Sequence, residues 1–101
     1  MTFEAAGLDP SRSYQLGFTW WDYDNNGRVE SVIVLEEGGR EHLLADRARL
    51  PAFAGRREPP EAALYHLPAS AVRGGKIGIA FQRDAGAHNA VVSEIWLWES
   101  K

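Results

Sequence analysis

The sequence predicts an all-β chain, an antiparallel β-sandwich of jelly-roll type, on three observations. Apolar and polar residues alternate over several short runs, clusters of Gly, Pro, Asn and Asp separate those runs, and no stretch sustains the 3.6-residue period of an amphipathic helix. About six short strands joined by turns favour packed antiparallel sheets over a parallel α/β arrangement. At 101 residues the chain suits one hydrophobic core, so residues 1–101 read as a single domain with 1–12 as its lead-in.

Tyr14, Leu16, Phe18 and Trp20 alternate with Gln15, Gly17 and Thr19, the period-2 pattern of a strand with one buried face. Arg28–Leu35 is rich in β-branched residues and reads as a second strand, paired with the first as a hairpin across Asp22-Tyr23-Asp24-Asn25-Asn26-Gly27. Glu36–Arg40 supplies a turn and Glu41–Leu44 a short strand. Residues 45–60 hold Pro51, Gly55, Pro59 and Pro60 among charges and read as a long surface loop, with Ala45–Leu50 suited to a helical turn. Glu61–Leu67 has helical propensity, yet Pro60 and Pro68 bracket it too closely, so a strand is expected. Lys76–Gln82 alternates Ile77, Ile79 and Phe81 with smaller or polar residues and is a further strand. In Ala90–Glu99, Val91, Ser93, Ile95 and Leu97 share one face and Val92, Glu94, Trp96 and Trp98 the other. If the aliphatic face packs inward, two indoles are left outside.

Composition narrows the function classes. A net charge of −3 with interspersed signs lacks the basic footprint that phosphate-backbone binding demands, so nucleic acid is not an expected partner. The absence of cysteine excludes disulfides, thiolate metal sites and a cysteine nucleophile. No segment has the length and apolarity to span a bilayer, and Met1–Gly7 has no signal-peptide pattern, so no membrane association is expected. The polar, Pro-containing stretch Gly7–Ser13 suits a module cut from a longer polypeptide.

Asp22, Asp24 and Asn26 place side-chain oxygens at alternate positions ahead of Gly27, like the first half of a calcium loop. Ile33 stands where an EF-hand needs its bidentate carboxylate, which excludes an EF-hand. Loop chemistry alone also accounts for these residues, because Asp, Asn and Gly tolerate left-handed backbone. Trp20 and Trp21 close the first strand, and alternation sends Trp20 to the core and Trp21 away from it. Trp21, Tyr23, Trp96 and Trp98 could stack on the apolar face of a sugar ring, with Asp22, Asp24 and Arg28, and His88 or Asn89 beside Gly86, bonding its hydroxyls. The competing reading is that the Trp96 and Trp98 pair covers a contact with a partner domain or identical subunit. His42, His66 and His88 lack metal-ligand spacing, and no Gly-x-Ser-x-Gly turn presents a nucleophile, so the chain reads as non-enzymatic.

Ser13–Asp22, the turn through Gly27-Arg28, and the closing Asn89–Leu97 resemble the galactose-binding-like β-sandwich modules, discoidin-like and carbohydrate-binding, of bacterial glycan-processing proteins. The resemblance implies a jelly roll outside the cytoplasm, periplasmic or secreted, that binds carbohydrate or braces an adjoining domain. It further implies that Glu94, in the Ser-Glu-Ile of the last strand, helps hold a structural calcium; Asp22, Asp24 and Asn26 stand beside it as candidate ligands on the turn pattern alone.

Overall fold

The computed structural model describes residues 1–22, 27–51, 62–85 and 90–100. Among the described residues the strands are, in chain order, β1 (Thr2–Ala6), β2 (Ser13–Thr19), β3 (Val29–Glu36), β4 (Glu41–Arg49), β5 (Ala63–His66), β6 (Lys76–Ala85) and β7 (Glu94–Ser100), with a 3₁₀ turn at Ala69–Val72. They form two antiparallel sheets, one of four strands in the order β1-β6-β3-β4 and one of three in the order β5-β2-β7. The chain is all-β, as its alternation predicts. Among the described residues no helix is long and apolar enough to cross a membrane.

One core lies against both sheets. Tyr14, Leu16 and Phe18 come from β2, Val32 and Val34 from β3, and Ile77, Ile79 and Phe81 from β6, all under one-tenth exposed. Each set keeps a strict i, i+2 spacing, so the pleat alone turns it inward. The sheets meet through rings: Phe18 of β2 stands edge-on to Phe81 of β6 with centroids 5.2 Å apart, and Trp20 approaches the same ring at 6.4 Å. Phe18 also stacks on Tyr65 of β5 at 5.8 Å, so one side chain ties two strands of the smaller sheet to the larger one.

Three expectations are corrected. The strands flanking Asp22–Gly27 are not a hairpin: β2 pairs with β5 and β7, β3 with β4 and β6, and the intervening turn carries the chain from one sheet to the other. Both strands offer an apolar face, and facing across a core buries both faces at once, which side-by-side pairing in a two-stranded ribbon does not. The lead-in contains β1, held to β6 over Thr2–Ala6, with Phe3 edge-on to Phe81 at 6.0 Å. Ala45–Arg49 is neither loop nor helical turn but the second half of β4. There the register slips against β3 and Arg47 adopts a positive φ of 50°, the marks of a bulge. Ser31 steadies it, since its hydroxyl accepts the Arg47 N–H (3.0 Å) and donates to Asp84 (2.6 Å), linking three neighbouring strands. The remainder of the expected surface loop, residues 52–60, lies outside the described residues.

Phe18→Ala removes the ring that joins β2, β5 and β6. Chemical denaturation should show a loss of about 3–5 kcal/mol, and a loss below 1 kcal/mol would mean that the inter-sheet contact is not what holds the layers.

Candidate functional site

The alternation that buries Tyr14, Leu16 and Phe18 sends Gln15, Gly17 and Thr19 to the outer face of the smaller sheet. Register then sets their neighbours. On β7, Trp98 lies opposite Gln15, Trp96 opposite Gly17 and Glu94 opposite Thr19, while on β5 His66 faces Gln15 and Leu64 faces Gly17. Trp96, Trp98 and Leu64 are 42%, 38% and 61% exposed, and with Gly17 between them they form one apolar platform.

Gly17 makes the platform flat. A Cβ built there would come within 3.0 Å of Leu64 Cδ2 and within 3.1 and 3.2 Å of Trp98 Cζ3 and Cη2. The indole and the leucine therefore fold over the bare backbone from both sides, and a larger residue would have to lift them. The rim is polar: exposed His66, half-buried Gln15, and exposed Glu94, whose carboxylate accepts a long hydrogen bond from the Thr19 hydroxyl (3.5 Å).

The Asp22 turn has a different chemistry. Asp22 Oδ2 accepts the backbone N–H groups of Gly27 (2.7 Å) and Arg28 (3.3 Å), and Oδ1 lies 3.2 Å from Arg28 Nη1. Both side chains are buried, and the pair is sealed by backbone bonds from Asp22 N–H to Pro51 O (2.8 Å) and from Leu50 N–H to Arg28 O (3.0 Å). The carboxylate thus closes the inter-sheet crossing, and its oxygens point into the protein rather than toward a ligand. Trp21, expected to face outward, is 8% exposed, the same as Trp20. It lies beyond the end of β2, where the chain is leaving the pleat, so alternation no longer decides its facing. Tyr23, Asp24, Asn26, His88 and Asn89 lie outside the described residues.

Asp22 also fits a calcium ion poorly, because its oxygens already accept two N–H groups and a guanidinium. Among the described residues no group of three or more His, Asp or Glu side chains is placed to hold a metal. Glu94, the other described member of the expected calcium set, sits on the rim of the platform with Thr19.

Sequence reasoning missed Glu30. It shares the inward side of β3 with Val32 and Val34 and is fully buried. One carboxyl oxygen accepts the Val91 N–H, while Oε2 has no hydrogen-bond partner among the described residues. Burial pushes the carboxyl up to about 7 from an ordinary 4.5, against the Val91 N–H, the Arg28 guanidinium and the terminal amine, which favour the charged form; Asp84 adds to the rise. The signal for it was a carboxylate at an apolar position of the alternation. On the outer face of the larger sheet, a shallow cleft of about 230 Å³ is lined by Thr2, Leu35 and Gly78 with Glu4, Glu37 and Lys76 among its charges. It carries no aromatic side chain.

Two outcomes check these assignments. Asp22→Ala strips a buried guanidinium of its carboxylate and two N–H groups of their acceptor. Denaturation should report a loss of about 3–5 kcal/mol, with Asp22→Asn losing less. For Glu30, the folded state holds the proton more tightly than the unfolded chain, so the stability it confers is complete below about pH 4.5 and is lost as pH rises through about 7. The stability of the native protein minus that of Glu30→Gln should fall by at most about 3 kcal/mol across that window. A difference that stays constant with pH would show that Glu30 does not titrate there.

Comparison with family models, with curated proteins and with solved structures finds no match to this chain.

Proposed function

We propose that this chain is a non-catalytic jelly-roll module that binds carbohydrate on the open face of the β5-β2-β7 sheet. One observation carries the reading: two indoles stand exposed at alternate positions of one strand, beside a glycine that lets an indole lie flat. Trp96 and Trp98 are about 7 Å apart along β7, which suits them to neighbouring rings of an oligosaccharide. The apolar face of each pyranose stacks on an indole, and Glu94, Gln15 and His66 bond the hydroxyls at the rim. The likeness of the Ser-Glu-Ile strand to galactose-binding-like modules supports the same assignment.

Size separates this from docking on a partner domain or identical subunit through the same face, the reading favoured by aliphatic Leu64. Taking on the order of 200 Å² for a fully exposed large side chain, the exposed fractions leave an apolar patch of roughly 300 Å². A stable protein interface takes about 800 Å² from each partner, whereas one or two sugar rings cover a patch of this size. Trp21, Asp22 and Arg28, being buried, have no place in the contact and serve the scaffold.

Intrinsic tryptophan fluorescence titrated with neutral, acidic and sulfated glycans should shift for at least one class. Trp98→Ala should weaken that binding at least tenfold, about 1.4 kcal/mol, while leaving the melting temperature nearly unchanged. Silence across all three classes would overturn the reading.

A further inference from the structure

A β-sheet edge exposes unpaired N–H and C=O groups, and proteins guard such edges with short strands, bulges, charges or proline. Three of the four edges follow that rule. β4 is broken by register shifts around Asp46 and Arg47, β1 has five residues, and β5 has four and is followed by Pro68. β7 is the least guarded: seven residues run in unbroken register against β2, with no proline, glycine or lysine, its two charges Glu94 and Glu99 stand toward its ends, and no described strand pairs with its other side.

The geometry points to that edge as the contact for a second copy of this chain, joined antiparallel about a two-fold axis at Leu97. Residues directly opposite in an antiparallel pair share a face, so registers that keep Trp beside Trp must be centred on a residue rather than on a peptide bond. Leu97 is the middle residue of Glu94–Ser100, and only a register centred on it pairs the strand over its whole length. Trp96 then lies opposite Trp98 of the other copy, Ile95 opposite Glu99, and Glu94 opposite Ser100. No like charges face one another, and cross-strand aromatic pairs stabilise a sheet. Registers centred one residue away lose pairs at the strand ends and set Trp96 or Trp98 against itself.

This contact is built on main-chain hydrogen bonds, with the Trp96–Trp98 pairs fixing its register side by side, and it leaves the outer face of the indoles open. The smaller sheets of two copies would become one six-stranded sheet, with four indoles in a continuous strip.

The chain has no cysteine, which gives a disulfide test without background. Sedimentation of the native protein from micromolar to millimolar concentration should show a reversible monomer–dimer equilibrium. Under mild oxidation, a mixture of Trp96→Cys and Trp98→Cys should cross-link at least tenfold faster than either variant alone, because Cβ atoms of directly opposed residues come within disulfide reach and diagonal ones do not. A purely monomeric native protein, or equal cross-linking by the single variants and the mixture, would overturn the pairing. Neither readout involves a glycan, so failure here and failure of carbohydrate binding are separate results.

Discussion

The contact on which the architecture turns is the edge-on meeting of Phe18 and Phe81 across the two sheets. The smaller sheet has three strands, of which β5 contributes four residues, and such a sheet is marginal unless its apolar face is covered. Phe18 lies on the central strand of that sheet and Phe81 on an inner strand of the other, so the pair sits away from the edge strands of both layers. Tyr65, Trp20 and Phe3 extend the cluster to β5, to the inter-sheet crossing and to β1. Once the inward face of β2 is committed to these rings, Gln15, Gly17 and Thr19 must face outward, and the platform follows from the core.

The polar groups within the protein are arranged around the same constraint. A chain that passes from one sheet to the other leaves backbone groups of both sheets' ends unpaired, and water cannot serve them where the rings exclude it. Asp22 answers for two N–H groups and a guanidinium on one side of the crossing. Glu30 answers for Val91 where the chain enters β7 from the other sheet's side. These polar groups serve the topology, which is why Asp22 and Arg28 are buried instead of displayed.

How much of this was legible depends on whether one residue's environment is fixed by its neighbours in sequence. Strand parity is such a property: it places the core residues of β2 and β6 and the exposure of Trp96 and Trp98 with no knowledge of partners, whereas the apolar run Val32-Ile33-Val34 of β3 marks a strand without marking its inward face. Pairing is not. Asp-Asn-Gly loops serve hairpins and crossings alike, because both need left-handed backbone and local side-chain bonds, so from sequence the Asp22 turn reads as a hairpin. The same limit hid β1, whose two inward residues Phe3 and Ala5 are too few to assert a period, and the bulged half of β4, where an inserted residue breaks the alternation. Trp21 failed at the boundary of parity itself, beyond the last residue of β2. Leu64 and Gly17 join the site only through β2 register, which no single segment encodes.

Glu30 connects the interior to the platform. The Val91 N–H that it holds lies three residues before Glu94, and Val91, Val92, Ile95 and Leu97 all pack on the core. β7 is attached through these inward residues and, among the described strands, through one lateral neighbour, β2. A strand with one neighbour has half the ladder bonds of an internal one, so its attachment leans on its ends and its core-facing side chains. The carboxyl at the entrance to β7 therefore bears on the same element that presents Trp96 and Trp98. Because its charged form is the one that burial penalises, ionisation weakens the core around the strand's entry while its hydrogen bond to Val91 becomes charge-assisted and stronger. The two effects oppose each other at a single carboxyl, with desolvation the larger.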